Sequence, residues 1–297
     1  MTFFSIIIPT YNRAHLVAET IDTVLAQTYP QFEIIIVDDG STDNTREIIE
    51  SKYCSDSRVR FFQKKNEERG AARNYGMKQA KGDYAIFFDS DDWMKPDYLS
   101  VLNTVVEKFP DIFLLAAKYN YGNVGKTENH PSLVALAEGW YDKNLFLKGN
   151  ILACNYCIRI KDNNYKPYPE ERELASMEDW LFLLHNLASG KIYIKDEICI
   201  TMRQHDERSM MNNQKVINAR RKANAWAIEN LALTEPEKKK LNAWSHYFCG
   251  IHQYLDHNRA GAVKEALSAI KNDGLNKKFL ALLSKSIIGR KLIKAIR

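Results

Sequence analysis

Three short stretches of almost unbroken apolar residues, each ending abruptly in a polar turn, constrain this chain more than anything else in it. They are Ser5-Ile6-Ile7-Ile8 ending in Pro9-Thr10-Tyr11-Asn12, Glu33-Ile34-Ile35-Ile36-Val37 ending in Asp38-Asp39-Gly40-Ser41-Thr42-Asp43-Asn44-Thr45, and Ala85-Ile86-Phe87-Phe88 ending in Asp89-Ser90-Asp91-Asp92-Trp93. Apolar, largely β-branched runs of this length read as strands buried on both faces. Between the first two lies a helical pattern with Leu16, Val17, Ile21, Val24 and Leu25 on one side. Such alternation predicts a mostly parallel α/β sheet with helices on both faces. Ligands of sheets like this bind outside the carboxyl ends of the strands, where all three polar turns must lie.

The third turn places three carboxylates within four residues, an arrangement that is costly unless something positive sits on it. Carboxylate oxygens suit hard divalent cations, and Mg2+ or Mn2+ held by one or two of them keeps positions open for phosphate oxygens. The alternative is a solvated acidic turn capping a helix that starts near Pro96. A further strand near Val59–Phe62 precedes Asn66-Glu67-Glu68-Arg69-Gly70-Ala71-Ala72-Arg73-Asn74-Tyr75-Gly76, a small-residue helix start. Arg73 lies one turn into that helix, so its guanidinium and the helix N-terminus can address the same anion.

With these pieces in hand, the chain resembles the family-two glycosyltransferases, which have the GT-A nucleotide-diphospho-sugar fold, a Rossmann-like sheet. The matching segments are SIIIPTYN at 5–12, DDGSTDNT at 38–45, NEERGAARNYG at 66–76, GDYAIFFDSDDW at 82–93 and MEDW at 177–180, in that order. They cover about the first two-thirds of the chain and stop near residue 212. The resemblance implies that Pro9, Thr10, Tyr11 and Asn12 pack on nucleobase and ribose. It implies that Asp39 accepts the base N–H, usually of uracil, and that Arg73 lies near the diphosphate. Asn66, Asp89 and Ser90 join the nucleotide-sugar site, and Asp91 is the main protein ligand of a divalent metal (Mn2+ or Mg2+). Asp92 has a metal role or a helix-capping role.

The chemistry explains the residue types. Breaking a sugar–diphosphate bond leaves negative charge on the departing nucleotide, which a metal and Arg73 would stabilise. The attacking hydroxyl needs a positioned base. Glu178 and Asp179 match the family's acceptor-side carboxylates, with Asp179 as the base of a single inverting displacement; the other reading of Asp179 is a cap for a helix over 180–187. Farther on, Arg203, His205 and Arg208 resemble a segment in which a histidine completes the metal shell and basic residues close over the diphosphate. Tyr119, Tyr121, Trp140 and Tyr141 are aromatic residues of the kind that stack on sugars or fill cores.

Length and a 45% apolar composition allow one large domain and a smaller appendage. The expected borders are a catalytic domain at 1–212, a helical appendage at 213–276, with helices near 216–233, 236–255 and 259–272, and a basic amphipathic tail at 277–297. The start runs straight into the first strand, and no apolar run approaches the roughly 20 residues of a membrane span, so a cytoplasmic protein, in solution or peripheral at the inner face of the membrane, is expected. Cys154-Asn155-Tyr156-Cys157 has no second pair to complete a zinc site and reads as buried strand. Five cysteines without framework spacing read as reduced thiols.

The tail holds Lys277, Lys278, Lys285, Arg290, Lys291, Lys294 and Arg297 and no acid; without these seven, the 42 Lys and Arg fall below the 37 Asp and Glu. One apolar stripe comprises Phe279, Leu280, Leu283 and Ile287, and another Leu292, Ile293 and Ile296, rotated after Gly289. Such a segment either lies on an anionic membrane surface or docks on the protein. No recognition motif accompanies the charge, so no nucleic-acid partner is expected. The expected partners are a nucleotide-diphospho-sugar donor, with UDP as the nucleotide, and a glycan or lipid-linked acceptor. A sugar nucleotidyltransferase is disfavoured by the absence of an opening glycine-rich loop. A non-catalytic nucleotide-sugar-binding or scaffold protein would have no need of Glu178 and Asp179.

Overall fold

The apolar runs become strands whose lack of alternation follows from burial on both sides. In this computed structural model, which describes residues 1–123, 126–188, 190–204 and 212–289, every residue of β1 (Phe4–Thr10) and β2 (Phe32–Asp38) is buried. With β3 (Val59–Gln63) and β4 (Tyr84–Phe87) they form a parallel array in the order β3-β2-β1-β4. The crossovers are α1 (Val17–Leu25), α2 (Thr45–Tyr53) and α3 (Glu68–Gln79). Gly76 lets α3 close on β1: a Cβ there would stand 2.4 Å from Ile7 Cγ2.

The register pairs Thr10 with Asp38, so the two polar turns emerge side by side. The ladder between β1 and β4 stops at Ile7–Phe87, and Phe88 N–H donates to Ile7 C=O as the last rung (3.0 Å). Pro9, two residues on, has no N–H to extend it.

The sheet continues with β5 (Trp93–Met94), α4 (Tyr98–Lys108), β6 (Leu114–Asn123), β7 (Lys126–Asn129), α5 (Pro131–Val134), β8 (Gly139–Tyr141), β9 (Cys157–Arg159) and β10 (Ile192–Arg203). The path is β3-β2-β1-β4-β9-β6-β10-β5, with β7 on β6 and β8 on β10. β9 is antiparallel to both β4 and β6, so β6 and its parallel partner β10 run in the direction of β1. The sheet is therefore mostly parallel, as expected. Trp140 and Tyr141 pair with the first residues of β10, the end away from the polar turns, and Trp140 packs on Phe109 and Tyr193 with ring centroids 5.3 Å apart in each case. As sugar platforms beside those turns they are excluded by position.

The chain divides into two compact units interleaved in sequence, one of residues 1–142, 151–172 and 189–206, the other of residues 143–150, 173–188 and 207–297. The first contains the whole sheet. The second contains α6 (Lys143–Phe146), α7 (Glu178–Asn186), α8 (Asn213–Asn230), α9 (Glu235–Leu255), α10 (Arg259–Asp273) and α11 (Lys277–Ile288). Capping sets these helices off locally: Thr234 and Glu237 form a reciprocal capping box at the start of α9, and Asn212, Asn258 and Asn276 each accept a first-turn N–H.

The first apolar stripe of the tail is split by this packing. Phe279 and Leu282 of α11 turn inward, Phe279 joining Trp244, Ala243 and Ala269 in the bundle core, while Leu280 and Ile287 stay exposed. The second stripe, Leu292, Ile293 and Ile296, lies outside the described residues. Among the described residues no helix is long and apolar enough to cross a membrane. The Cys154–Cys157 segment is buried as expected but becomes strand only from Cys157, because Ala153, at φ 51°, turns the chain just before it. All five cysteines are free thiols, and Cys54 alone is exposed.

Candidate functional site

In the sheet-bearing unit, the strand-end turns meet along one rim and are tied to each other. Asn12, in the left-handed region (φ 50°), donates its N–H to Ser41 Oγ (2.9 Å), and its Oδ1 accepts from Thr42 N–H (2.8 Å). Asp38 accepts from the Ser41 N–H (3.0 Å) and from Gln63 (2.9 Å), closing the turn that Gly40 (φ 80°) permits. A Cβ on Gly40 would stand 3.1 Å from Asn66 N, so this residue also lets the third strand's exit loop approach.

Asp39 is almost wholly buried. Its N–H reaches Thr10 C=O (2.8 Å), and its Oδ1 accepts from Glu67 N–H and Lys64 Nζ, both at 3.0 Å. Thr10 Oγ1 is buried without a hydrogen-bond partner among the described residues. Tyr11 is 45% exposed beside it, a ring available to a flat ligand. Lys64 Nζ also lies 2.6 Å from Glu67, and these two carboxylates raise its pKa against the lowering effect of burial, so it stays a cation.

Arg73 projects from the first turns of α3 and is buried against the Tyr168 ring at 5.3 Å, with Asp89 2.8 Å from its Nη2. Asn74, next to it, clasps the backbone of Tyr168 at both ends: Oδ1 accepts its N–H and Nδ2 donates to its C=O, each at 2.9 Å. Asn66 accepts from Arg172 through its side chain and its carbonyl (3.0 and 3.1 Å), which fixes the same loop on the start of α3.

Asp89, Asp91 and Asp92 each place a carboxylate oxygen within 4.8 Å of the others. Arg13 Nε stands 3.7 Å from Asp91, and Ser90 is buried between the acids. Asp92 accepts the Arg203 N–H at 3.0 Å. It is not a helix cap: α4 starts at Tyr98 behind Asp97, and even Asp97 makes no side-chain cap bond. An all-oxygen donor set with guanidinium groups on two sides suits a divalent cation bound together with a diphosphate. Arg203 turns instead to Glu19 (3.2 Å) and stacks on Trp93 at 4.6 Å. His205 and Arg208 lie outside the described residues.

Glu178 and Asp179 belong to the second unit, in the first turn of α7. The residue before them, Met177, is the N-cap position and makes no side-chain cap bond; Ser176 precedes it at φ 79°. Asp179 accepts from Trp180 N–H (2.7 Å) and from Asn150 Nδ2 (2.8 Å), while Glu178 is buried. Asp179 thus serves the helix start in part, from inside the first turn rather than from the cap.

Sequence reasoning missed Arg13 and Lys64. The signal available for both was position, directly after PTYN and directly after a strand on the same rim.

The fold defines the class: a GT-A-type protein whose strand-end rim carries the acidic cluster. The chain belongs to glycosyl transferase family 2, whose model matches residues 5–163. It is 34% identical over 140 residues to "Glycosyltransferase GlyA" of Streptococcus pneumoniae, covering 47% of this chain and 20% of that one. It is 32% identical over 200 residues to "Putative glycosyltransferase EpsH" of Bacillus subtilis, covering 64% of this chain and 58% of that one. The chain spans about a fifth of the length of several of the curated relatives it matches, 23% for an uncharacterized glycosyltransferase of Rickettsia felis. Among solved structures, S. aureus TarS 1-349 in complex with UDP-GlcNAc matches at TM-score 0.67 and 22% identity, over 98% of this chain and 88% of that one. The mannosyltransferase PcManGT of Pyrobaculum calidifontis, in complex with GDP-Man and Mn2+, matches at TM-score 0.63 and 16% identity, over 99% and 83%.

Proposed function

We propose that this chain transfers a sugar from a UDP-sugar to a hydroxyl of a glycan or lipid-linked acceptor, with inversion at the anomeric carbon. The observation that carries the reading is the gathering of Asp89, Asp91 and Asp92 beside Arg73 at the end of β4, next to the rim formed by Thr10, Tyr11 and Asp39. Tyr11 and Thr10 receive the base and ribose, Asp39 the base N–H, Arg73 and Arg13 the diphosphate. Asp91, with Asp89 and Asp92 around it and with His205, would hold a divalent metal, which would supply positive charge to the departing nucleoside diphosphate. Asp179 takes the proton of the acceptor hydroxyl, Glu178 lies beside it, and the oxygen attacks opposite the nucleotide; no second nucleophilic carboxylate is needed.

Residues 1–212 are the catalytic domain in this reading and 213–276 a helical appendage, and the product belongs to surface polysaccharide assembly on the cytoplasmic side of a membrane. The donors in the TarS and PcManGT complexes, UDP-GlcNAc and GDP-Man, are the nucleotide sugars to try first. The test is incubation with a panel of nucleotide sugars, with and without Mn2+, reading both thermal shift and release of nucleoside diphosphate. Specific stabilisation by one donor supports the reading. Stabilisation by none, with and without metal, overturns it.

A further inference from the structure

The helical unit carries a groove of about 720 Å³ between α10 and α11, lined by Val263, Lys264, Leu267, Lys271 and Ile287, with Arg259 at its end. Its apolar residues are unusually open: Leu267 is 52% exposed and Ile287 58%. They are not isolated, because Leu280 and Ile288 are also exposed and share with Ile287 one face of α11 at helical spacing.

The lining holds three cations and no acid. Arg259 is committed to the fold, capping the last carbonyls of α11 at Ser286 (3.0 Å) and Ile287. Lys264 and Lys271 have no ion pair among the described residues and flank Leu267 on the same side of α10. Of the two acids on these helices, Glu265 is turned inward, bound to Arg221 and His246, each at 2.6 Å; the other, Asp273, is the last residue of α10. The sequence after Gly289 adds Arg290, Lys291, Lys294 and Arg297 and no acid.

We propose that the α10–α11 face is a membrane-docking surface for anionic phospholipid, with Leu267, Leu280, Ile287 and Ile288 entering the interface and Lys264 and Lys271 meeting the headgroups. Charge complementarity favours this occupant, since exposed apolar groups ringed by unpaired lysines match an anionic interface and not a neutral one. The surface is a face of two packed helices rather than a free tail, because Phe279 and Leu282 are spent on the bundle core. Docking needs neither donor nor acceptor, so the proposal and the glycosyl-transfer reading stand or fall separately.

The experiment is flotation of the full chain with phosphatidylcholine vesicles and with vesicles that also contain phosphatidylglycerol, at low and high salt. The wild type should float only with the anionic vesicles, less at high salt. The double variants Leu267→Glu/Ile287→Glu and Lys264→Glu/Lys271→Glu should each lower partitioning by about tenfold or more, while circular dichroism and UDP binding stay as in the wild type. Equal binding of both double variants and the wild type overturns the proposal. So does loss of binding on Lys291→Gln/Lys294→Gln with none on the groove variants, which would place the contact after Gly289. A wild-type dimer that Leu267→Glu/Ile287→Glu splits, without vesicle binding, also overturns it and makes the groove a contact between copies of this chain.

Discussion

Asp91 and Asp92 are neighbours in sequence and are held differently. Asp92 is buried and accepts a backbone N–H from β10, whereas Asp91 faces Arg13. Asp91→Asn should therefore keep the fold and remove most Mn2+-dependent UDP affinity in isothermal titration, since an amide oxygen is a far weaker ligand for a hard cation. Unchanged affinity would refute the metal assignment. Asp179→Asn should leave UDP affinity within about threefold and lower transfer by roughly two to four orders of magnitude; loss of both together would mark Asp179 as structural. Arg220 is a different case. Its guanidinium is buried 3.6 Å over Trp180 and 5.1 Å from Phe248, with Nε and Nη2 lacking hydrogen bonds among the described residues. Burial lowers its pKa to about 9, a sign of how poorly the charge is solvated. Arg220→Met should thus cost less than about 1 kcal/mol or stabilise, read by denaturant titration, because a buried unpaired charge is replaced by an apolar group of similar length. A large loss would show that an anion belongs beside it.

At the scale of elements, β8 is held to β10 by Glu138, which accepts from Tyr193 Oη (2.6 Å) and lies 3.0 Å from Lys195. Tyr193 first, then Lys195, lower its pKa to about 2. A carboxyl depressed on folding stabilises the protein above its unfolded pKa and loses that contribution as pH falls toward the folded one. The wild type should therefore lose stability relative to Glu138→Gln as pH drops from about 4.5 to about 2, measured by thermal melts of both across that range.

The strands and helices were readable because their periods are strong. The apolar runs at 5–8, 33–37 and 85–88 could only be buried strands, and Gly40 and Pro9 punctuated them. Arg73, Asp39, Asp89 and Asp91 stood out as charges at strand ends or at a helix start. Arg13 and Lys64 did not, since a cation after a turn carries no period. The extent of β9 is shorter than the sequence suggests because the turn at Ala153, closed by Asn155 N–H on Leu152 C=O, is marked by no glycine or proline. The place of Trp140 was equally hidden, as no local pattern tells which end of the sheet an edge strand joins.

For the whole molecule, the thiols report compactness. Four of the five cysteines are buried and Cys54 is exposed. Titration with an aromatic disulfide should modify about one thiol in the native protein and five after denaturation. The native reaction should be slow at neutral pH, because partial burial and then Glu50 raise the Cys54 pKa. Phe279→Ala should destabilise the helical unit by about 3–5 kcal/mol, the usual cost of emptying a buried phenylalanine site, seen as a lowered midpoint of helical circular dichroism. A negligible effect would mean that α11 is not part of the core.

The ties between Asn12 and the Ser41–Thr42 turn have a kinetic consequence. The two strand-end segments are already immobilised against each other in the free protein, so their ordering entropy is lost at folding and not at ligand encounter. UDP association, followed by stopped-flow fluorescence, should then show one phase whose rate rises linearly with ligand concentration. Asn12→Ala, with the cross-tie gone, should bring a slower, saturating phase as the loosened turn reassembles around the nucleotide.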